Sequence, residues 1–190
     1  MALDSTQVVV AADGRIRVAP VGTADPTDVE TAYDPAWLDL GFATEDGVTL
    51  NDSKTIEAFR AWQALYPIRR VITERDFTLS FQLLQWNADT VPFAFGGGEV
   101  STTGVAPDEV HRFDPPAPAE LDERALSVEW FDGDKTYRLF VARGLVMEAV
   151  ESNLTRSDMS ALPISFGAIA ADETTQPWHL ITSDPAFAAS

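Results

Sequence analysis

The chain has 190 residues, 45% of them hydrophobic, enough for one full core with extensions and unlike a disordered sequence. Its 30 acids against 13 bases leave a formal charge of −17, which argues against a phosphate-binding surface, since such binding is cation-driven. Cysteine is absent, so disulfide frameworks, thiol nucleophiles and most structural zinc sites are excluded. Only Lys54 and Lys135 are lysines, and a GC-rich genome or a salt-adapted source would each give this acidic, alanine-rich composition. No window approaches the ~18 apolar residues of a membrane span. Residues 1–6 lack a secretory signal's pattern, so synthesis in a cytoplasm is expected.

Residues 7–11 and 15–18 read as two short strands around an Asp13-Gly14 hairpin turn. Residues 19–36, with Pro20, Gly22, Asp25 and Pro26, read as an extended arm crossing a surface. Inside its end, Asp34-Pro35-Ala36-Trp37-Leu38 has the acceptor and proline of a short helical turn, stopped by Gly41. From Val48 the period becomes two, with Ile56, Ala58, Arg60 and Trp62 on one side and Glu57, Phe59 and Ala61 on the other. Ile56, Phe59, Arg60 and Gln63 also fit helical spacing; the strand is preferred. Residues 68–86 alternate clearly, with Phe77, Leu79, Phe81 and Leu83 on a core face and Asp76, Thr78, Ser80 and Gln82 on a polar one. Residues 53–83 thus form a long hairpin whose tip carries Trp62, Leu65 and Tyr66.

Asn87 offers a cap for a short helix through Phe95, starting near Asp89 or Thr90 because of Pro92, and Gly96-Gly97-Gly98 stops it. Residues 99–123 read as a loop with a brief strand at 110–113. Residues 126–131, 136–142 and 145–150 form a meander around an Asp132-Gly133 turn, with further strands at 162–170 and 178–182. Residues 183–190 read as a flexible tail. The sum is a single mainly β domain over 1–190, an antiparallel sandwich or barrel with one short flanking helix.

Catalytic patterns are weak. His111 has Asp108, Glu109 and Asp114 nearby but no helical zinc spacing, and His179 stands alone. There is no Gly-x-Ser-x-Gly elbow. Glu45-Asp46 and Asp122-Glu123 sit in turns and loops, where solvated acids are ordinary, and the triple glycine lacks the Lys-Ser/Thr of a phosphate loop. Five tryptophans could form a sugar-binding platform, but they are scattered. No enzyme activity, cofactor or metal is expected. The exposed hairpin tip is the better clue: Trp62, Leu65 and Tyr66 are residue types enriched in interface cores. The other possibility is that the hairpin folds back on its own core.

The arm with Ala19-Pro20-Val21-Gly22, the Trp37-Leu38-Asp39-Leu40-Gly41 turn, the Glu45-Asp46-Gly47-Val48 turn and the strand-to-helix segment ending at Gly98 occur here in one order and spacing. Over residues 14–98 this resembles the major tail tube proteins of long-tailed bacteriophages, particularly those infecting actinobacteria. The resemblance implies a β-sandwich with a flanking helix, six copies of which form a ring, each lending four strands to a closed inner barrel. Rings would stack into a tail tube in the virion, assembled in the host cytoplasm. The implied partners are the chain itself, the tape-measure protein, tail initiator and terminator proteins, and genomic DNA passing through without specific binding. On this reading Trp62, Leu65 and Tyr66 are subunit-interface residues, with the arm and the tail adding contacts. Asp76, Thr78, Ser80 and Gln82 face the lumen. A single-ring neck or tail-terminator protein and a monomeric carbohydrate-binding β-sandwich are the alternatives.

Overall fold

The computed structural model describes residues 3–117, 119–172 and 174–188. It is mainly β and antiparallel, with one short helix, as the alternations imply. Strand β1 (Asp13–Pro20) is followed by β2 (Leu38–Asp39), the long pair β3 (Ala43–Phe59) and β4 (Arg69–Leu83), and helix α1 (Thr90–Ala94). Then come β5 (Glu99–Thr103), β6 (Val110–Asp114), β7 (Arg124–Asp132), β8 (Lys135–Val146), β9 (Leu162–Ala168) and β10 (Trp178–Thr182). β5 and β6 form a separate hairpin; the other strands form one continuous sheet ordered β2-β1-β7-β8-β9-β4-β3, with β10 also paired to β8.

That sheet folds over on β8. The first part of β8, through Val141, lies between β7 and β10, whereas Gly144, Leu145 and Val146 pair with Ala168, Gly167 and Phe166 of β9. One strand therefore belongs to both layers of a sandwich, as at the corner of an orthogonal packing. The register between β7 and β8 slips between Leu126 and Arg124 at this point. Glycine is required here: a Cβ on Gly144 would meet the Gly167 carbonyl oxygen at 2.5 Å.

The core follows from the period of two. Ile16, Val18, Leu126, Val128, Leu139 and Val141 project from one layer, and Phe77, Leu79, Phe81, Leu83, Leu162, Ile164 and Phe166 from the other. Phe93 and Ala94 of α1 join the same core. Each fully buried Leu or Phe contributes about 1.5–3 kcal/mol against exposure. β7 is buried on both faces, because Ala125 and its neighbours on the outer side pack with Ala19, Trp37 and Phe140 under the arm.

The sequence expectations need five corrections. Residues 7–11 form no strand, and Asp13-Gly14 is no hairpin turn; both lie within β1, paired with Phe131 and Trp130 of β7. Glycine there serves close approach instead, since a Cβ would sit 3.0 Å from the Glu129 carbonyl oxygen. Asp34–Trp37 closes one hydrogen-bonded turn, Trp37 N–H to the Asp34 carbonyl at 2.9 Å, with no helix. Asp46-Gly47 is an irregularity inside β3, with Gly47 at a φ of +66°, and does not precede the strand. The strand expected at 145–150 is the end of β8, and it stops at Val146. The loop expected over 99–123 also holds β5, which pairs with β6 from Glu99↔Asp114 to Thr103↔Val110. α1 begins at Thr90, with the Asn87 side chain accepting from the Asp89 and Thr90 N–H groups. Pro118 of the expected loop and Ala189 and Ser190 of the expected tail lie outside the described residues.

Candidate assembly surfaces

The pairing partners of β4 determine what the long hairpin does. β9 pairs with β4 only from Leu83 to Thr78; beyond that, β4 pairs with β3 alone, out to Arg69↔Phe59. Residues 69–77 at ~3.3 Å each make a two-stranded ribbon of roughly 30 Å. Every residue from 49 to 60 is exposed, so the ribbon does not fold back on its own core. A bulge at Thr73 shifts the register between Thr55↔Glu74 and Ile56↔Ile72 and sharpens the local twist. The tip is closed by Ile68 N–H to the Phe59 carbonyl (2.9 Å) and Ala64 N–H to the Ala61 carbonyl (3.1 Å). Trp62, Leu65 and Tyr66 sit on it at 99%, 92% and 83% exposure.

Two features of the ribbon were legible but unread in the sequence. From residue 60 to 70 the chain carries Arg60, Arg69 and Arg70 and no acid, a basic segment in a strongly acidic protein. The ribbon also extends apolar surface well below its tip, through Ile68, Ile72, Ile56 and Phe59.

At the base of the hairpin the two faces separate as alternation requires. Phe77, Leu79, Phe81 and Leu83 are buried, while Asp76, Thr78, Ser80 and Gln82 share the opposite face. Register sets Ser53, Asn51 and Thr49 of β3 beside Asp76, Thr78 and Ser80, and Ser165 of β9 on the other side of Ser80. This strip is hydroxyl and amide with one carboxylate. β3 has no strand on its outer side among the described residues, so the strip ends at an open sheet edge.

A cleft of about 690 Å³ opens where the two layers diverge, between β1 and β3. Phe42, Val48, Leu50 and Trp130 give it apolar walls, and Asp13, Asp39 and Glu45 are among its acids. Phe42 is 72% exposed.

The arm is held on its own subunit. Tyr33 lies between two guanidinium groups, 4.1 Å from that of Arg17 and 4.7 Å from that of Arg138, and its hydroxyl lies 2.9 Å from Ser127 Oγ. Both arginines donate to the buried Glu129, Arg17 at 2.8 Å and Arg138 at 2.6 Å. Arg138 also donates to the Asp28 and Thr31 carbonyls, and Trp37 Nε1 donates to the Ala24 carbonyl at 3.1 Å. Burial raises the Tyr33 pKa. Past β10, Asp184 is buried and accepts from the Tyr137 hydroxyl at 2.6 Å, with Lys135 Nζ 3.1 Å away. The Tyr137 bond, then the Ala186 N–H, hold the Asp184 carboxyl below its ordinary value. The same bond, with burial, pushes Tyr137 up to about 12.

The histidines are apart. His111 Nδ1 lies 2.8 Å from Thr102 Oγ1 on the β5–β6 hairpin, and His179 stacks on Phe140 at 5.2 Å. No group of three or more His, Cys, Asp or Glu among the described residues could hold a metal. The tryptophans form no platform, with Trp37 buried, Trp130 stacked on Tyr137, Trp178 on Phe77, and Trp62 and Trp86 exposed.

No curated protein matches the chain. A family model described as Phage tail tube protein matches residues 1–190, in agreement with the mainly β fold. The chain belongs to the phage tail tube proteins, structural components of the bacteriophage tail.

Proposed function

We propose that six copies of this chain close into a ring and that rings stack into a tube conducting the genome and the tape-measure protein. The ribbon carries this reading. A two-stranded hairpin is marginal alone in water, and one that presents Trp62, Leu65 and Tyr66 at its end is stabilised by burying them against another copy. The sandwich supports ring closure. β3, β4, β9 and the end of β8 make a four-stranded half-sheet with one core face and one polar face, ending in the open edge of β3. Pairing that edge with a neighbouring copy removes an aggregation liability. Asp76, Thr78, Ser80 and Gln82 then line the lumen, where a surface without cations does not retain passing phosphates. The arm's part in stacking is limited to what Tyr33 and Trp37 leave uncovered.

Negative-stain electron microscopy of concentrated protein, at low salt and with added salt and magnesium, tests the proposal. Hollow rings or tubes with a bore wide enough for duplex DNA are expected. Isolated single rings at every concentration would favour a neck or terminator role, and persistent monomers would overturn the assembly.

A further inference from the structure

We infer that the cleft between β1 and β3 is the receptor for the hairpin tip of a second copy, and that complementary charge at close contact selects the fit. This rests on the stacked-ring reading and adds the acceptor that reading lacks.

The occupant follows from three observations. The tip joins three apolar side chains to Arg60, Arg69 and Arg70 with no acid between residues 60 and 70. On a chain of net charge −17, a basic apolar tip finds its complement on another copy. The cleft has the matching character: apolar walls at Phe42, Leu50 and Trp130, acids at Asp39 and Glu45, and Arg15 as the one base among the residues lining it. Its volume of about 690 Å³ lies within the ~300–1,000 Å³ typical of cavities that enclose a drug-sized ligand, room for large side chains. Finally, the chain's own tip stands roughly 30 Å beyond the end of the β4–β9 ladder, while the cleft lies at the base of β3. The cleft is therefore out of reach of its own tip, and a tip that enters it comes from another copy.

The absence of cysteine makes the test direct. Gln63→Cys at the tip and Ala12→Cys at the cleft replace exposed side chains outside the apolar anchors and walls, so both variants should fold and assemble. A disulfide needs Cα atoms about 4.4–6.8 Å apart. In tubes of the double variant, oxidation is expected to convert most of the protein into a ladder of covalent multimers, and each single variant should stay monomeric on a denaturing gel. A second arm uses charge. Glu45→Arg and Arg70→Glu should each raise the critical concentration for assembly at least tenfold, and together they should recover most of that loss. Tubes that form normally without the mixed cross-link would overturn the cleft assignment and leave the tube intact. A cross-link with Gln63→Cys alone, meaning tip against tip, would do the same. Failure of the unaltered chain to form tubes would overturn both proposals.

Discussion

Asp184 ties the segment after β10 to the body through Tyr137 and Lys135, and its depressed pKa makes that tie dependent on pH. The folded value lies below the ordinary 3.8, so the carboxylate's contribution is complete above that value and is lost as pH falls through and below it. Asp184→Asn is expected to lower Tm at pH 6, with the difference from the unaltered protein shrinking towards pH 2.5. Thermal unfolding at several pH values checks this, and a constant difference would contradict it. Glu129 is a different case, because it is buried and neutralises Arg17 and Arg138 together. Glu129→Ala leaves two guanidinium groups facing each other across Tyr33, at a cost of about 3 kcal/mol or more. Urea unfolding should show the drop. None of this was readable beforehand, since Glu129 occupies an ordinary alternating position in VEWFD and its partners lie on β1 and β8. A buried ion pair is a property of contacts between strands.

At the level of elements, β4 was the most legible. Its Phe-Thr-Leu-Ser-Phe-Gln-Leu run obeys one period, and the structure buries every second residue as that period demands. β1 was misread because Asp-Gly is the usual hairpin turn pair, while here its glycine lets the β7 backbone approach. β5 was missed because Glu99-Val100-Ser101-Thr102-Thr103 has one large apolar residue; its partner β6 stabilises it through backbone pairing. The break foreseen between residues 142 and 145 marks a real event of another kind, the crossing of β8 between layers at Gly144. The ribbon yields the clearest prediction at this scale. Trp62→Ala and Tyr66→Asp remove contacts that a lone subunit does not make, so unfolding stability should change by no more than ~0.5 kcal/mol. Polymerisation should be lost, as read by sedimentation or light scattering; equal assembly would refute the tip as a contact.

For the whole molecule, charge sets the conditions of assembly. A ring of six such chains would carry a formal charge of about −100 before counterions, a strong barrier to a second ring. Raising ionic strength from 10 to 150 mM shortens the screening length from roughly 30 to 8 Å. That suppresses repulsion between bodies, and close arginine–carboxylate pairs in a partly buried contact are screened less. Assembly should therefore accelerate with moderate salt or millimolar magnesium, and light scattering would show slowing instead if attraction between tip and cleft dominated at long range.

The passage of β8 through both layers has a mechanical consequence. A tension applied to the ribbon enters the body through β4, crosses to β9 along the ladder from Thr78↔Gly167 to Leu83↔Leu162, and reaches a strand whose other end lies in the opposite layer. The layers cannot slide past one another across the greasy plane between them without rupturing a continuous backbone's hydrogen bonds. The sandwich should thus resist shear as one body, and a pull on the tip should strain the hairpin before it disturbs the wall.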